Sequence, residues 1–214
     1  KTINEQFPIS DFEKINYKVH INGISSYNGV AIITKHNLEK ISVKNFCDKN
    51  DARHIEAKFG KISIHSIYVP AGGDEPDEKK NEKFFHKLKF LDEMGKFFSL
   101  KKNELNLLCG DFKVAPYEDD VWSHKQLRNV VSHTNIERKK LLEILNKGNL
   151  VDAVRIFNNP PENIFTWWSY RSKDFNKNNR GRRLDHIWIT KDEKIKIKDS
   201  KIFKDSRNNV KPSD

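Results

Sequence analysis

The stretch LNLLCGDFKVAP at residues 105–116 joins an apolar run to a carboxylate. Its first five residues predict a buried strand that stops abruptly at Gly110 and Asp111. Asp111 is then expected at the rim of a sheet, where it can reach solvent, a metal ion or a phosphate without being buried unpaired. The alternative is an aspartate that only caps a helix or a turn, and the stretch alone leaves both open.

Strands and helices alternate on either side of this stretch. Three further apolar runs predict strands, at residues 29–34, 61–69 and 184–190. Residues 81–100 carry apolar side chains in steps of three or four, which predicts a helix. Thr134 and Glu137 match a capping box that begins another helix, ended by Gly148. The pattern predicts a mixed α/β (α+β) fold in a single domain spanning residues 1–214.

The composition excludes several classes of protein. The chain of 214 residues contains 14 Phe and 4 Trp, more large aromatic side chains than disordered proteins carry. No apolar run approaches the roughly 20 residues that cross a membrane, so no membrane partner is expected. The two cysteines, Cys47 and Cys109, cannot form a disulfide framework, which favours a reducing, cytoplasmic location.

The charge balance indicates a polyanionic partner. Lys and Arg number 40 against 30 Asp and Glu, which gives a formal net charge of +10. A basic surface of this kind most simply suits nucleic acid.

Two more candidate residues lie within or at the end of predicted strands. Asp185 lies inside the apolar run LDHIWIT, directly after Arg182 and Arg183. An aspartate in a strand must be paired or hydrogen-bonded, so it either orients a histidine or a metal-bound group, or forms a local ion pair with an arginine. Tyr68 ends its strand ahead of Pro70, where its hydroxyl either donates to a phosphate or the ring fills the core.

Aromatic and basic side chains alternate in FTWWSYRSKDFNKNNRGRR at residues 165–183. Such a mixture suits a surface that stacks on bases or sugars while cations hold phosphates. The alternative is a tryptophan core with a solvated loop behind it. His124 and His133 show no metal-ligand spacing, and we assign them no role.

Six motifs together resemble one known family. They occur in the order YVPAGG, GDFKVAP, VWSHKQL, FTWWSYRS, NNRGRRLDHIW and KPSD. In sequence and spacing they are similar to the exodeoxyribonuclease III and AP endonuclease branch of the endonuclease/exonuclease/phosphatase superfamily, and the resemblance covers essentially the whole chain. It implies a four-layered α/β sandwich of two packed sheets flanked by helices. It also implies a Mg²⁺- or Mn²⁺-dependent phosphodiesterase that acts, as a monomer, on double-stranded DNA.

The resemblance implies a catalytic role for several residues. Asp111 matches the aspartate that activates water or protonates the leaving oxygen near the metal, and Tyr68 matches a tyrosine that contacts phosphate. Asp185 matches the aspartate that orients the catalytic histidine, and Asp214 an aspartate of the metal site. Trp167 matches an aromatic residue that lines the pocket for an extruded abasic sugar.

DNA-binding residues follow from the same resemblance. Arg53, Arg171, Asn179 and Arg180 correspond to positions on loops that face DNA. Such enzymes cut the backbone 5′ of an abasic site, remove nucleotides from 3′ ends and clear blocked 3′ termini.

The sequence departs from the family pattern in three places. The family has a metal-binding glutamate and an earlier strand upstream of Lys1, and a catalytic histidine and a final strand beyond Asp214. We therefore expect an interior fragment that lacks the first and last strands. The family motif GD-x-N has Lys113 in place of its asparagine, and this cation would bind phosphate but compete with the metal. We expect weakened catalysis from Lys113 and no hydrolysis by the 214-residue chain.

Two other functions stay open at this point. One is a non-catalytic DNA-binding relic that keeps the basic loops. The other is a phosphatase branch of the same superfamily, against which the basic charge and the tryptophan–arginine loop argue.

Overall fold

A mixed sheet of six strands forms the centre of the protein. The computed structural model describes residues 2–171, 174–191 and 197–209. The strands are β1 (Lys18–Gly23), β2 (Gly29–Thr34), β3 (Glu39–Ser42), β4 (His54–Phe59), β5 (Ile62–Tyr68), β6 (Leu105–Asp111), β7 (Leu150–Asp152), β8 (Trp167–Trp168), β9 (Gly181–Arg182) and β10 (Asp185–Thr190). The helices are α1 (Ile9–Lys14), α2 (Glu82–Leu100), α3 (His124–Leu127), α4 (Asn135–Lys147), α5 (Ala153–Phe157) and α6 (Phe175–Asn178).

The central sheet has the strand order β3-β4-β5-β6-β10-β7. Strands β5 and β6 are parallel, and every other neighbouring pair in this sheet is antiparallel. The helix α2 provides the crossover that a parallel pair requires. Strand β10 runs against β6, so its first residue lies beside the last residues of β5 and β6.

Helices α2 and α4 cover one face of the central sheet. Their buried side chains, including Met94 and Leu141, pack with Ile67, Leu108 and Trp188 from the three middle strands. The capping box of Thr134 and Glu137 is present as predicted and satisfies amides at the start of α4.

A second sheet, β1 with β2, packs against β4 and β5. Successive strand residues face opposite sides, so Ile55 and Ala57 of β4 point away from the face that carries His54, yet both are fully buried. Two sheets therefore pack together with helices outside them, which confirms the predicted α/β class.

The strand that leads to Asp111 is longer than predicted. Sequence reasoning ended it at Cys109, but pairing continues through Gly110 to Asp111, opposite His186 and Asp185. Gly110 has φ +146°, and a Cβ there would lie 2.0 Å from the carbonyl oxygen of Ile67. The glycine therefore permits a close strand approach rather than ending the strand.

No helix within the described ranges is long and apolar enough to cross a membrane.

A chain of buried polar groups links three strands beneath α2. The ring of His54 hydrogen-bonds to that of His65 at 3.0 Å, and His65 contacts the Asn106 side chain at 3.2 Å. Burial lowers the pKa of His54 to about 3 and also lowers that of His65. A separate buried histidine, His133, has its pKa lowered by burial to about 4.

These histidines predict acid sensitivity. Their folded pKa values lie below the unfolded value near 6.5, so the unfolded chain takes up protons first as the pH falls below 6.5. We expect the free energy of unfolding to fall between pH 6.5 and 4, by up to about 2 kcal/mol per histidine at pH 5. Urea unfolding at several pH values measures this. The variant His133→Gln should weaken the dependence while His36→Gln, at an exposed position, should not; a midpoint that stays constant from pH 7 to 5 would contradict the prediction.

Candidate active site

Three residues from three strands lie side by side at one edge of the central sheet. The register pairs Tyr68 of β5 with Asp111 of β6, and Asp111 with Asp185 of β10. All three point to the face away from α2 and α4, because their neighbours Ile67 and His186 point toward the helices. The structure thus brings together the three predicted catalytic residues that lie within the described ranges. We call Tyr68, Asp111 and Asp185 the catalytic row, after the role that the sequence resemblance predicts for them.

Asp185 is held close to a second carboxylate. Burial, and then the charge of Asp111, raises the pKa of Asp185 to about 6. The hydroxyl of Thr166 accepts a hydrogen bond of 3.1 Å from the backbone amide of Asp185, which fixes the start of β10. The two preceding arginines are engaged elsewhere: Arg183 pairs with buried aspartates and Arg182 donates to the Ser132 hydroxyl. The interpretation of Asp185 as the partner of a neighbouring arginine is therefore wrong.

Lys113 folds back onto the catalytic row. Its backbone amide donates to Oδ1 of Asp111 at 3.0 Å, and its Nζ lies 2.6 Å from Oδ2. Its Nζ also lies 5.6 Å from the centre of the Tyr68 ring. Lys113 has φ 54°, in the left-handed region, where asparagine is more common than lysine. Asp111 is thus both a turn residue and a rim carboxylate, which unites the two alternatives left open by the sequence.

Arg53 extends the row on the side of β4. Its guanidinium carbon lies 5.0 Å from the centre of the Tyr68 ring, and Nη1 donates to the Tyr68 carbonyl at 3.1 Å. Asp51 accepts from Nε at 2.5 Å. The side chain is therefore held in place beside Tyr68 by contacts on two sides.

The other predicted DNA-binding residues lie in a second group, on the loops around the short pair β8–β9 within residues 165–183, which we call the tryptophan–arginine loops. Trp167 is half-buried, and the guanidinium carbon of Arg182 lies 5.7 Å from its ring centre. Arg180 is exposed and stacks over Trp122 at 4.6 Å. Arg171 is exposed, and Asn179 accepts the indole N–H of Trp168 at 3.2 Å.

Thr166 connects the two groups. Its side chain holds the start of β10, and Trp167 is the next residue along the chain. The tryptophan–arginine loops therefore begin one residue away from a contact with the catalytic row. Trp168 and Phe175 pack into a small buried cluster, so part of the segment is core while Arg171 and Arg180 face outward.

Comparisons with known proteins agree with this geometry. No family model matches the chain. The exodeoxyribonuclease III of Haemophilus influenzae is 29% identical over 227 residues, covering 100% of this chain and 84% of that protein. A solved AP endonuclease from Archaeoglobus fulgidus is 32% identical with a TM-score of 0.80, covering 89% of this chain and 73% of that one. The chain belongs to the exodeoxyribonuclease III and AP endonuclease family.

The family assigns the class of enzyme. Its members are DNA-repair nucleases, so the protein is a hydrolase of phosphodiester bonds. The fold extends to a 3′ phosphatase from Neisseria solved with a product DNA hairpin, with a TM-score of 0.90 at 23% identity over 100% of this chain and 82% of that one. That likeness shows a shared fold alone.

The described residues fit a divalent cation only in part. Nowhere in residues 2–171, 174–191 and 197–209 do three His, Cys, Asp or Glu side chains converge on one point. The carboxylates of Asp111 and Asp185 lie on adjacent strands, and Mg²⁺ is commonly held by one or two carboxylates together with substrate phosphate and water. Asp214, the other predicted ligand, lies outside the described residues.

The sequence analysis did not predict a buried network of ion pairs close in sequence to Asp185. Arg183 donates to both carboxylate oxygens of Asp120, at 2.7 and 3.0 Å, and to Asp152 at 2.6 Å. Arg155 donates to Asp120 as well. The one available signal was Asp152, which follows a short apolar run in the same way as Asp111.

Proposed function

We propose that the protein is a metal-dependent DNA-repair phosphodiesterase that incises duplex DNA 5′ of abasic sites and removes nucleotides or blocks from 3′ ends. The observation that carries the proposal is the catalytic row, with Arg53 on one side and the tryptophan–arginine loops on the other. Phosphodiester hydrolysis needs an activated water, stabilised charge on the phosphoryl oxygens and a proton for the leaving oxygen.

Tyr68 and Asp111, with Arg53 beside the row, can supply these needs. The Tyr68 hydroxyl can donate to a phosphoryl oxygen, and the Arg53 guanidinium beside it adds positive charge. Asp111 holds an acceptor oxygen at the rim that can take a proton from water or return one to the leaving oxygen. Asp185 sits next to it as a second carboxylate. A bound Mg²⁺ or Mn²⁺ would offset the negative charge of the phosphate.

The basic surface supports binding to the DNA backbone. A net charge of +10 and the exposed Arg171 and Arg180 favour phosphate contacts without base recognition. We therefore expect the affinity for duplex DNA to fall steeply with salt.

A labelled duplex with one abasic-site analogue tests the proposal. The sequence led us to expect no hydrolysis; because Tyr68, Asp111 and Asp185 lie side by side, we now expect a single cut on the 5′ side of the site that requires Mg²⁺ or Mn²⁺ and stops in EDTA. Duplexes with a 3′ phosphate or a recessed 3′ end test the other two activities. Binding to the duplex with no cleavage under any metal would overturn the catalytic proposal.

Failure to cleave would favour a non-catalytic DNA-binding protein instead. The observation behind this second candidate is the ion pair between Lys113 and Asp111, at 2.6 Å. An ammonium group on Oδ2 neutralises the carboxylate that would otherwise attract a cation or accept a proton. The basic loops do not depend on that carboxylate, so DNA binding would remain.

The variant Lys113→Asn is expected to raise the cleavage rate at least about tenfold, which corresponds to an activation barrier lower by about 1.4 kcal/mol. The exchange removes the ammonium from Asp111 and places asparagine in a left-handed conformation that it tolerates. Single-turnover rates on the abasic duplex over a range of Mg²⁺ concentrations measure it, and the Mg²⁺ needed for half the maximal rate should fall. Lys140→Asn is the matched control, because Lys140 pairs with Asp92 on the helical face. An unchanged or slower rate for Lys113→Asn would contradict the prediction.

A further inference from the structure

A lysine is buried beneath the catalytic row. Lys87 belongs to the amphipathic helix α2, but its side chain is 0% exposed. Its Nζ lies 2.5 Å from Oε1 of Glu137 and donates to the carbonyls of Lys113 at 2.8 Å and Ala71 at 3.3 Å. One ammonium group therefore contacts a carboxylate and two backbone carbonyls.

The two carbonyls belong to the two segments that leave the catalytic row. Ala71 lies three residues after Tyr68, and Lys113 lies two residues after Asp111. The lysine reaches them past Gly72, which has φ +90°; a Cβ at Gly72 would lie 2.8 Å from Cδ of Lys87. The glycine of the YVPAGG motif thus leaves room for the lysine stem.

The contact with Lys113 bears on the geometry of Asp111. Residue 113 has φ 54°, and in this conformation its amide donates to Oδ1 of Asp111 while its carbonyl accepts from Lys87. Losing the contact with Lys87 would remove this donor from the Lys113 carbonyl. The turn that orients the Asp111 carboxylate is therefore tied to the buried ammonium group.

Burying this charge is unfavourable unless it is fully paired. Desolvation lowers the pKa of Lys87, and Glu137 opposes that shift. Glu137 is satisfied in turn by the amides of Ser132 and Thr134 and by the Thr134 hydroxyl. An apolar side chain of similar length would fill the space without this cost, so packing alone does not require a lysine.

We propose that Lys87 is a positioning residue that holds the segments after Tyr68 and Asp111 in the geometry needed for hydrolysis. The proposal rests on the proposed function, since it assigns Lys87 a part in the same site. Lys87 acts through the backbone of Ala71 and Lys113 and does not itself meet the substrate.

The test compares Lys87→Met with Glu137→Gln. Both variants remove the ion pair, but Glu137→Gln keeps an amine that donates to both carbonyls. We expect Lys87→Met to lower kcat at least about tenfold with little change in KM for DNA, since small displacements of reacting groups have effects of this size. Glu137→Gln should keep kcat within about threefold. Equal losses of kcat in the two variants at equal folded fraction would overturn the proposal.

Hydrogen exchange gives a second result that does not depend on activity. The Lys113 amide should exchange faster in Lys87→Met than in Glu137→Gln, because its bond to Asp111 depends on the turn. If Lys87→Met does not fold, the double variant Lys87→Met/Glu137→Gln removes the unpaired carboxylate and is compared with Glu137→Gln alone. Equal exchange would overturn the positioning role. A parent chain that cuts no DNA would overturn the proposed function, and the exchange comparison would still decide the role of Lys87.

Discussion

Asp111→Asn is expected to lower the metal-dependent cleavage of an abasic duplex by about 10²–10⁴-fold, the range for loss of a general acid or base. Asp111 lies between Tyr68 and Asp185 in the catalytic row, and its side chain is partly exposed at the rim of the sheet. Asparagine keeps the shape of the side chain and can still accept the hydrogen bond from the Lys113 amide. It cannot carry the negative charge or exchange a proton with water.

The affinity of Asp111→Asn for DNA should not fall with its cleavage rate. Removing a negative charge beside Lys113 and Arg53 makes the site more positive, so binding to the duplex should stay the same or tighten. Single-turnover cleavage and fluorescence anisotropy at one salt concentration measure the two effects. The comparison is repeated in the Lys113→Asn background, where the rate is expected to be higher.

Asp92→Asn is the matched control for this experiment. Asp92 lies on α2 and pairs with Lys140 of α4, on the helical face of the protein. Its exchange removes the same charge and should leave cleavage within about twofold, as for other surface substitutions. Cleavage by Asp111→Asn within tenfold of the parent would show that Asp111 does not carry the chemistry.

Arg183→Met is expected to destabilise the protein by about 3–5 kcal/mol, because it leaves buried carboxylates without their cation. The Arg183 side chain is 0% exposed. It forms a bidentate ion pair with Asp120 and a further ion pair with Asp152. The total stability of such a domain is only about 5–15 kcal/mol, so a loss of this size removes a large share of it.

Urea unfolding with circular dichroism measures this effect. Lys147→Met is the control, since it removes the exposed pair between Lys147 and Glu143 at 3.0 Å. Exposed pairs of this kind contribute less than about 1 kcal/mol. A loss below about 1 kcal/mol for Arg183→Met would mean that the network does not support the fold. Because Arg183 lies two residues before Asp185, loss of cleavage at temperatures where the variant stays folded would show that the network also orients the row.

Sequence patterns identified the elements of the site better than their arrangement. The apolar runs that end at Tyr68 and near Asp111 are strands, as predicted. The strand predicted over residues 184–190 is also present, but it begins at Asp185, which was expected inside it. The end of the strand before Asp111 was placed too early because glycine commonly marks a strand end. Here Gly110 is needed where Ile67 approaches, a contact between residues far apart in the chain.

Buried charges were the least predictable part of the site. Lys87 lies three residues after Phe84 and four before Leu91, so helical periodicity places it on the buried face, but a lysine is rarely fully buried unless it is paired. Its burial depends on Glu137, 50 positions away, and on carbonyls after two different strands. Arg183 similarly finds Asp120 rather than the neighbouring Asp185. A pattern of local spacing has no access to such partners.

The sequence by itself determined the α/β class, the family and the chemical types of the residues in the row, because hydrophobic periodicity and motif spacing are local properties. The tertiary structure decided which residues meet. Parallel pairing of β5 with β6 and antiparallel pairing of β10 with β6 place Tyr68, Asp111 and Asp185 in one line. It also decided that Lys113 pairs with Asp111 and that Lys87 lies beneath it, because both contacts depend on a left-handed turn and a buried helix face that only the assembled fold creates.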